Sequence, residues 1–254
     1  MKRRIVLIGI GPGDPEQVTL QAVRAMNEVD FFVIPEKHRP GGDPLAATRA
    51  ALLAHHVQGE PQVVVVDDPE RDRTPEGTAD SAGYRHAVTE WHRARAARYT
   101  SVLAQRPGDA GFLVWGDPAL YDSTIRVLER VVTDLDAELH IVPGVSSLHA
   151  LAARHRVVLH GIGEPLHITT GRRLPEAVAQ GHANIAVLLN RSLTELAAID
   201  PAGWRIWWGA NLGTPSEHLV HGPLRDVLQQ IQSARSKASQ DAGWVMDVYL
   251  LQRE

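Results

Sequence analysis

The chain has 254 residues, enough for a sizeable core in one or two domains, with a net charge of −4 and a pI of about 6.3. That acidity argues against a nucleic-acid partner, and the absence of cysteine excludes thiolate catalysis, iron–sulfur clusters, cysteine-ligated zinc and disulfides. No apolar run approaches the roughly 20 residues that span a bilayer, and Met1-Lys2-Arg3-Arg4 leads straight into a strand-like run without a cleavage site, so the chain reads as cytoplasmic with no membrane partner.

Ile5–Ile8 is a continuous apolar run that empties into Gly9-Ile10-Gly11-Pro12-Gly13-Asp14-Pro15. Strand, glycine turn and helix in that order build a ligand-facing rim at the carboxyl end of an α/β sheet. A dinucleotide fingerprint starting at Gly9 needs its third glycine at position 14, where an aspartate stands and would meet the pyrophosphate with like charge. A P-loop needs Gly-Lys-Ser/Thr, which occurs nowhere. Asp14, Pro15 and Gln17 also fit an N-cap, a first-turn proline and a capping-box partner, followed by the helical stripe Val18, Ala22, Met26. A cap and a carboxylate facing a ligand are compatible roles.

Further strands are expected at Phe31–Ile34, Val63–Val66, Phe112–Trp115 and Leu139–Val142, continuous apolar runs of the kind found in a parallel sheet covered on both faces. Between Val63–Val66 and Phe112–Trp115, Asp67 to Thr78 is polar and charged. Tyr84–Gln105 then reads as a long helix carrying Arg85, His86, His92, Arg93, Arg95 and Arg98 against one acid, Glu90. A solvated basic face is the plain reading, and a cationic wall toward a polyanionic small molecule is the other. Leu159-His160-Gly161-Ile162-Gly163-Glu164-Pro165 reads as a hinge, which divides the chain into domains 1–162 and 163–254. Beyond it, Leu166–Thr169, Ile185–Leu189, Arg205–Trp208, His218–Val220 and Val245–Leu251 are shorter or more mixed runs. The last alternates as antiparallel strands do, so an α/β fold is expected with a mostly parallel first sheet and a mixed second one.

Three more turns follow first-half strands: Pro35-Glu36-Lys37-His38, Gly116-Asp117-Pro118-Ala119-Leu120-Tyr121, and Pro143-Gly144-Val145-Ser146-Ser147. Parallel strands place all their carboxyl ends on one side, so these turns share a rim with the first. Singly each is weak, since Asp117, Asp122, Ser146 and Ser147 also suit helix caps. The thirteen histidines show no His-Glu-x-x-His helix, and the spacings His86/His92 and His149/His155 split each pair across a helix, so no metal site is expected. No Gly-x-Ser-x-Gly elbow occurs, which leaves no serine-hydrolase signature.

Gly9-Ile10-Gly11-Pro12-Gly13-Asp14-Pro15 with Thr19, then Gly116-Asp117-Pro118 with Tyr121, then Pro143-Gly144-Val145-Ser146-Ser147 resemble three successive signatures of the tetrapyrrole (corrin/porphyrin) methyltransferases. Weaker matches follow at His167–Arg173, Val187-Leu188-Leu189-Asn190 and Ala210–Glu217. The resemblance implies two α/β domains, S-adenosylmethionine in the cleft between them, a homodimer and a tetrapyrrole (precorrin) substrate. It implies cofactor contacts at Pro12, Gly116, Asp117, Tyr121, Ser146, Ser147, Leu189, Asn190, Thr214 and Met246. Pro35-Glu36-Lys37, the Asp68–Arg73 segment and the long helix before Gly116 further resemble the branch that methylates precorrin-5 at carbon 1 and removes the acetyl group on carbon 20 as acetic acid. Removing an acetyl group needs a base, and Asp14, Glu36, His38, Asp117, Tyr121 and His149 are the candidates at the rim, Asp14 first and Glu36 and His38 second. Lys37, Arg39, Arg71, Arg73, Arg95, Arg98, Arg154 and Arg172 form the pool for substrate carboxylates. A family member acting on a different precorrin carbon and a non-catalytic tetrapyrrole-binding protein of the same fold are the alternatives.

Overall fold

The computed structural model describes residues 2–36, 44–70 and 82–254. Packing sorts the chain into two compact units, Met1–Gly11 with Val18–Gly144, and Pro12–Gln17 with Val145–Glu254. Residues 145–162 thus group with the second unit.

The first unit is a five-stranded parallel sheet of order β3-β2-β4-β1-β5. Its strands are β1 (Arg4–Gly9), β2 (Phe31–Glu36), β3 (Val63–Asp67), β4 (Ala110–Val114) and β5 (Glu138–Val142), each falling on an expected apolar run. Successive side chains on a strand point to opposite faces. Ile5 and Leu7 of β1 therefore join Val33, Phe112 and the residues Tyr99 and Leu103 of α3 (Ala82–Ala104), together with Val127, Leu128 and Val131 of α4 (Thr124–Leu135). Val6 and Ile8 face the other way, onto Ala22 and Met26 of α1 (Leu20–Glu28) and Leu52 and Leu53 of α2 (Pro44–His56). With both faces covered, the central strands β2, β4 and β1 carry apolar side chains at nearly every position, while the edge strands β3 and β5 expose Val63, Val65 and Ile141.

The second unit holds α5 (Ser147–His155), β6 (His167–Thr170), α6 (Leu174–Ala179), β7 (Asn184–Leu188), α7 (Thr194–Ala198), β8 (Trp204–Ala210), β9 (His218–Pro223), α8 (Leu224–Ala242) and β10 (Asp247–Arg253). Its sheet runs β6-β7-β10-β8-β9, with β6 and β7 parallel and the other pairs antiparallel, the mixed sheet expected. β10 departs from the alternating pattern. Its first five residues are all buried because it lies in the middle of the sheet. Trp204, Ile206, Trp208, Tyr249 and Leu251 make the core with Leu196, Leu224 and Ile231.

The first helix starts later than its capping box foretells. Pro15–Gln17 is a single 3-10 turn, and Thr19 is the N-cap of α1, its hydroxyl accepting the Ala22 N–H at 3.0 Å. Asp14 accepts the Glu16 N–H at 3.0 Å and so caps the Pro15–Gln17 turn, while α1 itself begins at Leu20.

Candidate functional site

In the first unit, the carboxyl ends of β1, β4 and β5 are joined by glycine backbone. Gly11 and Gly116 form a bridge, Gly116 N–H donating to the Gly11 carbonyl at 2.8 Å. A Cβ on Gly144 would lie 2.1 Å from the Gly116 carbonyl oxygen, and one on Gly9 would lie 2.6 Å from the Gly144 nitrogen. Only glycine permits three chains to approach this closely. Asp117 pins the arrangement: one carboxylate oxygen accepts the Ala119 N–H at 2.8 Å, the other the Gly144 N–H at 3.0 Å. Tyr121 follows with φ +55° and an exposed ring, an uncommon backbone state for a bulky residue.

Glu36 ends β2 half-buried, its carbonyl accepting the Asp68 N–H at 2.9 Å. His38 lies outside the described residues, as do Lys37, Arg39, Arg71 and Arg73 of the cation pool. Arg95 is buried and pairs with the buried Asp68 at 2.8 Å, donates to the Tyr99 hydroxyl at 3.0 Å, and stacks over Trp91. The helix whose plain reading was a solvated basic face therefore buries His92 and Arg95. Arg98 donates to the Asp67 carbonyl at 2.6 Å. Arg95 and Arg98 thus bind the chain's own acceptors, and Arg172 is exposed on the second unit.

In the second unit, Arg154 of α5 reaches both oxygens of Glu217 at 3.1 Å and one Asp14 oxygen at 3.6 Å. Glu217 in turn accepts the Gly213 N–H at 2.7 Å. This ties the Pro12–Gln17 turn, which contains Pro12, to the loop holding Thr214. A Cβ on Gly13 would sit 2.6 Å from the Thr214 Cγ2. Asn211 is buried in the left-handed region at φ +50°. Its side chain accepts the Met246 N–H at 2.9 Å and donates to Ser216 and to the Trp244 carbonyl, while its own carbonyl accepts the Thr214 hydroxyl. Sequence reasoning held Asn211 within the Ala210–Glu217 match but gave it no role. The signal that could have found it was an asparagine just ahead of Gly213, since asparagine tolerates that backbone state and its amide can serve two segments at once.

Leu189 has φ +55° and an exposed side chain, and Met246 is exposed as well. Asn190 donates to the Asp247 carbonyl at 3.1 Å, while its side-chain oxygen is buried with no hydrogen-bond partner among the described residues. Asp247 accepts from Trp208 Nε1 and from Arg235 Nε, each at 3.1 Å. Burial pushes its carboxyl above the ordinary value, against the pull of Arg235. Arg235 also donates to the Asn190 and Arg191 carbonyls at 3.3 Å, so it fixes the loop after β7. Ser146 is the N-cap of α5 and Ser147 its first residue. Among the described residues no three His, Asp or Glu side chains gather as metal ligands would, and no helix is long and apolar enough to cross a membrane.

A parallel α/β unit with glycine-lined strand ends, followed by a unit with a mixed sheet, defines the fold class. Residues 4–228 match the model of the Tetrapyrrole (Corrin/Porphyrin) Methylases, and the chain belongs to that family. It is 37% identical over 256 residues to the precorrin-6A synthase [deacetylating] of Sinorhizobium sp, covering 99% of this chain and 95% of the relative. Among solved structures it resembles the cobalamin synthesis related protein (CobF) from Corynebacterium diphtheriae, with TM-score 0.82 and 32% identity over 100% of this chain and 99% of the other. It shares the fold of uroporphyrin-III C-methyl transferase from Thermus thermophilus complexed with S-adenyl homocysteine, with TM-score 0.59 and 21% identity over 98% and 97% of the two chains.

Proposed function

We propose that the chain is the S-adenosylmethionine-dependent C-methyltransferase of cobalamin biosynthesis that converts precorrin-5 to precorrin-6A, methylating carbon 1 and releasing the carbon-20 acetyl group as acetate. The observation that carries this reading is the likeness, over nearly the whole of both chains, to a relative named for that deacetylating reaction. A homodimer in the cytoplasm belongs to the reading by likeness to the family.

The residues fit a ligand without phosphate. The Asn190 side-chain oxygen is a buried acceptor awaiting a donor, and Leu189, Tyr121 and Met246 expose apolar surface. In this reading Pro12, Ser146, Ser147, Leu189, Asn190, Thr214 and Met246 of the second unit and Gly116, Asp117 and Tyr121 of the first hold the cofactor. When bound, S-adenosylmethionine supplies a methyl group already activated by positive sulfur. What remains for the protein is alignment, which is worth about 7–11 kcal/mol of barrier when the reacting atoms are held about 3–3.5 Å apart. Rigid turns favour such alignment. The glycine contacts around Gly144 and the Arg154 clamp on Asp14 and Glu217 leave these segments little freedom. The acetyl step requires a base, and Asp14, Glu36, His38, Asp117, Tyr121 and His149 are its candidates.

Incubation with precorrin-5 and S-adenosylmethionine, followed by mass spectrometry of the tetrapyrrole and assay of free acetate, tests the reading. It predicts one added methyl and one acetate per turnover. Methyl addition without acetate would point to a different ring carbon, and no methyl addition to a binding protein.

A further inference from the structure

The geometry points to His149 as the general base of the acetyl-removing step, held in place by Ser146. This inference rests on the reading of the chain as a deacetylating methyltransferase, and it names a residue for the step that methyl transfer chemistry leaves unexplained.

A serine at a helix N-cap ordinarily turns its hydroxyl onto the backbone N–H of the second or third helical residue. Ser146 has the extended backbone of an N-cap, φ −75° and ψ 155°, yet its side chain caps nothing. The His149 N–H goes to the Ser146 carbonyl instead, at 3.1 Å, and the Ala150 N–H shares that carbonyl at 3.2 Å. The hydroxyl, on a residue only 6% exposed, lies 2.7 Å from Nδ1 of the His149 ring. The ring itself is exposed, and its Nε2 has no partner among the described residues.

This is how a base is built: one ring nitrogen is held by the serine hydroxyl, which orients the ring, and the other is left open. In the tautomer that donates Nδ1–H to the serine oxygen, Nε2 carries the free lone pair. The contrast with His155, at the far end of α5, is direct. His155 is half-buried, Nε2 donates to the Trp208 carbonyl at 3.0 Å, and burial holds its pKa below the ordinary value. His149 also stands in the first turn of α5.

Asp14, by comparison, has one oxygen engaged by the Glu16 N–H and the other facing Arg154. In the step assigned to His149, water oxygen bonds to the acetyl carbonyl carbon while one water proton passes to Nε2. The carbonyl π pair moves onto oxygen. On collapse, the bond between the acetyl carbon and the ring carbon breaks. Its electron pair is drawn into the conjugated tetrapyrrole, acetic acid leaves, and the imidazolium returns its proton to solvent.

The test uses His149→Ala and His149→Gln in the full-length protein, with Asp14→Asn and Glu36→Gln alongside. We expect acetate release to fall in both His149 variants by about 10²–10⁴-fold, the range of a lost general base. S-adenosylhomocysteine should bind with unchanged affinity by calorimetry, and added imidazole should restore acetate release in His149→Ala. Parental rates of release in both His149 variants overturn the inference. So does loss of S-adenosylhomocysteine binding together with release, which would make the histidine a prop for Ser146. A parent that never releases acetate overturns the deacetylating reading itself, and the inference with it.

Discussion

Arg235 Nε lies 3.1 Å from Oδ2 of Asp247, a carboxylate with no exposed side-chain surface. A charge so placed is tolerable only while its partner stays, and removing one member of a buried pair typically costs about 3–5 kcal/mol. Arg235→Met should lower stability to urea by that order, and Arg235→Met with Asp247→Asn should lose less, because the second change removes the stranded charge. The single variant also frees the Asn190 and Arg191 carbonyls, so S-adenosylhomocysteine affinity should fall with it. Equal losses in the single and double variants would show that the pair is not what matters.

Gly144→Ala should be poorly tolerated for want of space. The new Cβ would lie 2.1 Å from the Gly116 carbonyl and 2.8 Å from the Gly9 carbonyl carbon, and neither is a flexible side chain that could move away. Overpacking of this kind costs about 1–3 kcal/mol or more. A lowered melting temperature and less folded protein are expected, and a parental melting curve would refute the tight approach.

Gly13→Ala tests the first turn. Its φ of +149° is one that L residues rarely adopt, and its Cβ would meet Thr214 Cγ2 at 2.6 Å. Because about 1.4 kcal/mol of strain equals a factor of ten, S-adenosylhomocysteine should bind about tenfold more weakly or worse. Gly59→Ala is the control: its φ is +86°, yet nothing lies within 4 Å of the added methyl, so binding should be unaffected.

The pH dependence of stability should carry the mark of Asp109. Burial pushes this carboxyl up, but the Arg4 backbone N–H and guanidinium, both at 2.7 Å, outweigh it and hold its pKa below the ordinary value. A depressed native pKa stabilises fully above the unfolded value and loses that contribution as pH falls through the native one. The gap in melting temperature between parent and Asp109→Asn should therefore be open at pH 7 and close below about pH 4. A gap independent of pH would contradict this.

What the sequence disclosed follows from how local each signal is. The strands of the described residues were legible because an apolar run such as Ile5–Ile8 states its own burial, whereas the central place of β10, read as alternating, was not. The start of α1 was misread because Asp14-Pro15-x-Gln17 and Thr19 both offer capping chemistry, and only the three-dimensional turn shows Asp14 capping Pro15–Gln17 and Thr19 capping α1. His92 and Arg95 looked solvated because the buried Asp68 that accepts Arg95 sits on a separate segment. The second unit hid more. Asn211 serves Met246, and Arg235 serves Asn190, through contacts between segments far apart in the chain, and no periodicity records such a pairing.

The grouping of Pro12–Gln17 with residues 145–254 has a consequence for synthesis. The turn leaves the ribosome among the first residues, while Arg154, which grips Asp14, and the Gly213–Glu217 loop against which the turn packs come late. At about 5–20 residues per second, the turn waits on the order of ten seconds or longer for its partners. Over that interval β1 and α1 can settle on either side of it, leaving Asp14 without its cation. The second unit is thus not a separable gene fragment, because a piece starting at Val145 would be born lacking the turn that completes it.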